Sequence, residues 1–246
     1  MATCTAAVST ASTSNVSSYA AGTFTPALSD LLVIIVATSG SVEPTAAGAC
    51  TDDRGGTYYL ARYSTRSGAA SSNYIFVRNQ LVASAVAHIV TFTCTGDAAT
   101  GAVILAYRVS GMTRAGLSAV RQTGAQTGAA AATTPTVSLS FAALTGNPLI
   151  GMVGSASNPV TVTPPSGWTE PGSPLFDTGY STPSAGCEGC HIDSGFTGST
   201  VTWGSTVAGG AHGSVVVELD TSLPLIGGRA PVKVISKQTI QRASTW

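Results

Sequence analysis

Polar and apolar positions in this chain alternate with a period of two or do not repeat at all. Short runs rich in Val, Ile, Thr and Tyr, separated by Gly, Ser, Pro or Asn, predict strands over 31–38, 57–63, 73–78, 87–94, 102–109, 136–141, 148–155, 159–163, 187–192, 199–203 and 214–219. No stretch keeps a helical period over three turns. In TVSLSF, Val137, Leu139 and Phe141 fall on one face and Thr136, Ser138 and Ser140 on the other, the pattern of a sheet wet on one side. LLVIIVA at 31–37 and the AVILA that follows Gly101 are apolar throughout, which predicts central strands covered on both faces. Strands at these intervals fit an all-β fold, an antiparallel two-sheet sandwich of jelly-roll type. The low-complexity stretch TGAQTGAAAATTP at 123–135 reads as a long connection between two groups of strands.

Beyond Asp220 the pattern changes. Residues 221–246 open with prolines and a Gly-Gly pair and continue as mixed apolar and basic residues that have no core of their own. They read as an extended arm following a body of residues 1–220, suited to adding a strand to an exposed sheet edge or to packing at home as a final strand. The charges follow the same division. Net charge is zero, yet the first 220 residues carry a formal −4 and the last 26 carry +4, from Arg229, Lys233, Lys237 and Arg242. With Trp246 as an end anchor, these four cations are the candidate partner-docking residues. A nucleic-acid surface calls for a denser basic patch with interleaved aromatics, so a protein partner is the expectation and no specific nucleic acid.

Composition narrows the class further. Only 9% of residues are charged, against about a quarter in an ordinary soluble domain, so little holds one copy apart from the next. The longest apolar run falls well short of the roughly 20 residues a membrane helix needs, and no membrane partner is expected. The N-terminus lacks the basic and apolar regions of a secretory signal, which predicts synthesis in a cytoplasm without export by that route.

One motif stands out chemically. CEGCH at 187–191 has the spacing that attaches haem through two thioethers. That chemistry takes place outside the cytoplasm and needs an apolar pocket, whereas these residues sit in a Gly- and Ser-rich β context, so no cofactor is expected. As a strand, the segment places Cys190 and Ile192 on one face and His191 on the other; as a tight turn it would permit a Cys187–Cys190 disulfide. Zinc would need a fourth ligand beside Cys187, Cys190 and His191, from His88, His212 or another Cys, and no second paired motif supplies it. Five cysteines in a chain this long favour reduced, buried thiols.

The remaining candidates are weaker. Asp193-Ser194-Gly195 resembles the surroundings of a serine nucleophile but lacks the following glycine. Asp52-Asp53, Asp97, Glu170, Asp177, Glu188 and Asp193 fall mostly in loops without nominating a catalytic pair. CTDDRGGTYY reads as a hairpin with Gly55-Gly56 supplying positive φ, or as an incomplete calcium loop. Trp168 reads as a loop anchor and Trp203 as a core residue, with a sugar-stacking platform as the alternative for either.

The succession LSDLLVIIVAT, DDRGGTYYL, AHIVTFTCTG, AVILAYRVSGM, NPLIGMVGSA, SGWTEPG, STVTWGST and GSVVVEL resembles a jelly-roll-like β-sandwich domain of bacteriophage virion structural proteins. The resemblance spans residues 30–219. Ser29 stands where that pattern has Gly, Gly56 where it has Asn, and Arg108-Val109-Ser110-Gly111 where it has Tyr-Ser-Gly. It implies a capsid decoration or cement protein, or another head- or tail-surface protein, located in the virion. Its partners would be other copies of itself and other virion proteins, and the family brings no catalytic residues. The alternative expectation is a glycan-binding module for host attachment, with a surface glycan as partner.

Overall fold

The computed structural model describes residues 1–39, 49–66, 72–94, 101–155, 162–171, 176–177, 186–208 and 210–222. Fifteen strands are formed among them: β1 (Thr3–Ser12), β2 (Ser18–Ala20), β3 (Leu31–Ser39), β4 (Cys50–Asp52), β5 (Thr57–Thr65), β6 (Ser72–Arg78), β7 (Val90–Thr93), β8 (Gly101–Ser110), β9 (Val120–Ala129), β10 (Thr136–Ser138), β11 (Leu149–Ser155), β12 (Phe176–Asp177), β13 (Gly186–Ile192), β14 (Thr200–Thr202) and β15 (His212–Leu219). A single 3-10 turn at Gly116–Ala119 leads into β9. All pairings are antiparallel, so the all-β antiparallel sandwich read from the sequence is the fold of the described residues.

Eight strands form the larger sheet, in the order β1-β8-β3-β6-β5-β4-β7-β2, and five form the second, β12-β13-β11-β15-β9. As their unbroken apolar runs require, β3 and β8 are central, paired from Leu31↔Val109 to Ser39↔Gly101 and buried on both faces. Odd-numbered residues of β3 (Leu31, Val33, Ile35) and of β8 (Val103, Leu105, Tyr107) meet Ile150, Met152, Val215 and Val217 of the second sheet. Gly189 and Gly154 let the sheets approach, since a Cβ would fall 2.5 Å from Leu105 Cδ2 at the first and against the Asn73 amide at the second.

The even-numbered residues of the same strands face a core that the large sheet makes with itself. Its far strands curl back over the centre, so Tyr19, Cys50, Tyr58 and Phe92 close over Leu32, Ile34, Phe76 and Ile104. Tyr74, Phe76 and Phe92 stack obliquely there, with ring centroids 5.7–6.0 Å apart. The curl almost closes: beyond β2, the Gly22 amide donates to Thr10 Oγ1 on β1 at 2.7 Å.

A third core lies on the outer face of the second sheet. A small β10-β14 ribbon and its loops lay Val137, Leu139, Val201, Trp168 and Trp203 over Leu149, Val153, Cys190 and Val216. Both indoles pack against Gly151 and both are buried, which removes them as sugar-stacking platforms.

Two expectations are corrected. The 123–135 segment is not simply a connection, because its first seven residues complete strand β9 beside β15. The TVSLSF alternation holds through Val137 and Leu139 and then fails, since β10 ends at Ser138 and Phe141 turns out to solvent.

Candidate functional site

The CEGCH segment is strand β13, paired in register with β11 from Leu149↔Ile192 to Ser155↔Gly186. Residues three apart on a strand point to opposite faces. Cys187 therefore enters the core between the sheets and Cys190 the outer one, while His191 stands edge-on to Tyr107 with ring centroids 5.4 Å apart. The two thiols cannot share a disulfide, a haem or a metal ion. Burial raises both thiol pKa values, that of Cys187 to about 12, which leaves them neutral. All five cysteines are free and buried. The other proposed zinc ligands are elsewhere: His88 Nδ1 lies 2.7 Å from the Val86 carbonyl, and His212 sits opposite Ser155 while Cys190 sits opposite Gly151. Ser194 Oγ approaches Met1 Sδ rather than a histidine, and Asp193 accepts the Cys4 amide to hold β1 in place.

The acids are used as internal fasteners. Asp52 Oδ1 accepts the Arg54 and Gly56 amides, while Oδ2 takes Arg78 Nε at 2.7 Å and the Tyr58 hydroxyl at 3.1 Å. That pattern fixes the hairpin, with Gly55 at φ +76, and leaves no calcium loop. Arg78 must lie where a Gly56 Cβ would be, 2.3 Å from Nε, so Gly56 is required by space rather than by φ.

Glu188 is sealed in beneath the third core, 2% exposed, with Oε2 accepting the Val162 amide. Burial, and then the nearby charge of Glu170, push its pKa up to about 8. It stays protonated in the fold at pH values where the unfolded chain has lost that proton, so its contribution to stability shrinks as pH rises from the unfolded value towards 8. Burial lowers the pKa of His191 and of His212, so their protonation in the unfolded chain makes stability rise with pH up to about 7.5 and opposes the Glu188 trend there. Comparison with Glu188→Gln cancels the histidine contribution: in urea titrations from about pH 6.5 to 8 the parent should lose about 1.5 kcal/mol more stability than the variant, within the limit of ~1.4 kcal/mol per pH unit. An unchanged slope in the variant would remove Glu188 as its source.

At the opposite end of the same sheet, Glu218 organises a surface. It stands at the end of β15 with its carboxylate fully buried, and takes hydrogen bonds from Arg121 Nη1 (2.8 Å), the Leu144 amide (3.0 Å), Asn147 Nδ2 (2.7 Å) and Gln122 Nε2. These bonds hold its pKa below the usual carboxylate range against the desolvation that opposes them. Gln122 also exchanges two bonds with the Phe141 backbone, and Arg121 donates to the Ala142 carbonyl. The 141–147 loop is thereby fixed from beneath, yet it carries Phe141 at 66% and Leu144 at 49% exposure.

The root of the proposed arm lies against this loop. Thr221 bonds to Asn147 Oδ1 and the Gly146 carbonyl, and Arg114 pairs with Asp220 at 3.2 Å and with Ser222. Of the docking residues named from sequence, Arg229, Lys233, Lys237, Arg242 and Trp246 all lie outside the described residues. Sequence reasoning missed Glu218 and the loop above it; the available signal was an acid closing the apolar run SVVVEL. Neither a protein-family model nor a curated protein matches this chain.

Proposed function

We propose that this protein is a structural protein of a bacteriophage virion, a capsid decoration or cement protein or another head- or tail-surface protein, that works by assembling in many copies. The observation that carries this reading is the rigid, apolar 141–147 loop held by Glu218 beside the root of a basic arm. Large apolar side chains fixed in solvent are the usual mark of a protein contact. Among the described residues, the thiols and the acids Asp52 and Glu218 are spent on holding the fold together. The arm brings opposite charge to a body of formal −4 and would add its extended backbone to a neighbouring subunit, where many equal contacts give avidity.

The test compares the full chain with one ending at Ser222 by mass photometry. Full-length protein is expected in assemblies and the shortened chain as monomers; two monomeric species would overturn arm-driven self-assembly. A second readout is available because both lysines of the chain, Lys233 and Lys237, lie in the arm. Cross-links made by an amine-to-carboxylate reagent should join Lys233 or Lys237 to body acids of another copy.

A further inference from the structure

On β8 the second-core stripe runs Ile104, Ala106 and then Arg108, an arginine where the pattern calls for another aliphatic residue. Arg108 sits in register with Thr5 of β1 and Leu32 of β3, and is half-buried. It forms no hydrogen bond or ion pair among the described residues, whereas Arg66, Arg78, Arg114 and Arg121 all do. Two adjoining depressions of about 130 and 270 Å³ share it. The smaller is lined by Thr3, Thr5 and Ser110 with the Asp30 carboxylate, the larger by Thr23 and Thr25. Each lies below the roughly 300–1,000 Å³ of drug-sized ligand sites, a size for single sugar units on either side of Arg108.

We propose that this cleft binds an acidic saccharide, with the sugar carboxylate on Arg108 and the sugar hydroxyls on the threonine and serine side chains. A guanidinium offers paired, coplanar N–H donors that match a carboxylate. The five hydroxyl-bearing side chains, all exposed, can each donate and accept, as a polyol requires. Asp30 decides the class. It is 2% exposed, its Oδ2 accepts the Ala27 amide, and it lines the smaller depression beside Arg108 as a fixed charge with no ion pair to it. A fixed carboxylate there disfavours a bare polyanion such as a nucleic-acid backbone and favours a ligand that presents one anionic group together with hydroxyl donors. The inference is independent of the assembly reading, because the cleft belongs to the body and uses no arm residue.

The experiment is saturation-transfer NMR with calorimetry on the full chain. The probes are glucuronic-acid-containing oligosaccharides, their neutral glucose counterparts, and inorganic phosphate. Acidic oligosaccharides should bind at least tenfold more tightly than either of the others, and Arg108→Gln should lower that affinity at least tenfold with an unchanged melting temperature. Should Arg108→Gln unfold the chain, Thr5→Val, a change at an exposed hydroxyl, should still weaken binding severalfold. No binding of the acidic probe, equal binding of phosphate, or affinity unaffected by the folded variants would overturn the assignment.

Discussion

Arg78→Ala is expected to lower the unfolding free energy by about 3–5 kcal/mol, the cost of leaving one partner of a buried ion pair alone. The side chains of Arg78 and Asp52 are 3% and 0% exposed and meet at 2.7 Å. Arg78 also donates through Nη1 to the Gln80 and Leu81 carbonyls, so its loss frees a turn as well as a charge. Without it the Asp52 carboxylate would keep only the Tyr58 hydroxyl and two backbone amides. The double change Arg78→Met with Asp52→Asn should recover much of the loss, because it removes the stranded charge. Urea denaturation of the three proteins checks this, and a single-variant loss under 1 kcal/mol would mean the pair is not sealed from water. The pH dependence has a definite sign. The Asp52 pKa is lowered in the fold by Arg78 and its other hydrogen bonds, which outweigh its desolvation, so its stabilisation is present above the unfolded carboxylate pKa and disappears as pH falls through the folded one.

Glu218→Ala should cost a similar amount, about 3–5 kcal/mol, for a different reason. The carboxylate is the common acceptor for four donors, two from β9 and two, Leu144 and Asn147, from the 141–147 loop. Its removal leaves the Leu144 amide and Asn147 amide group without their acceptor beneath the surface. The loop that presents Phe141 and Leu144 would lose its shape while the two large cores remain. Assembly should therefore fail at temperatures where circular dichroism still reports a folded body. Retained assembly in a folded Glu218→Ala protein would separate the loop from the docking surface.

What the sequence disclosed depended on how each strand obtains its stability. The strands β3, β6, β8, β11 and β15 declare themselves through apolar runs because both of their faces are covered. β1 does not, since TCTAAVSTAS offers only small side chains, and its place is set by backbone pairing with β8 from Thr3↔Ser110 to Ser12↔Ala102. β9 is hidden more completely. Gln122 and Gln126 fasten the backbone at Phe141 and Thr136, and Gly124 lies where a Cβ would be 2.4 Å from the Ser138 carbonyl. Polar side chains and a glycine that permits close packing look like a loop to any reading based on hydrophobic period. The same physics concealed the 141–147 surface, because its organiser, Glu218, reaches partners 71 to 97 residues distant in the chain. The CEGCH question, by contrast, was answerable once a strand was accepted, because alternation alone parts the two thiols.

The positions of residues 1 and 222 have a practical meaning. The Met1 carbonyl lies 2.9 Å from where a Gly111 Cβ would be, and two and three residues on, Thr113 and Arg114 bond to Ser222. Both ends of the described body therefore issue beside the turn after β8, giving the body a polarity. Any sequence joined before Met1 would emerge close to Ser222 and to whatever follows it. A guest peptide meant for display is better inserted within the exposed residues 13–17, which follow β1 at the opposite end of the sheet from that shared exit.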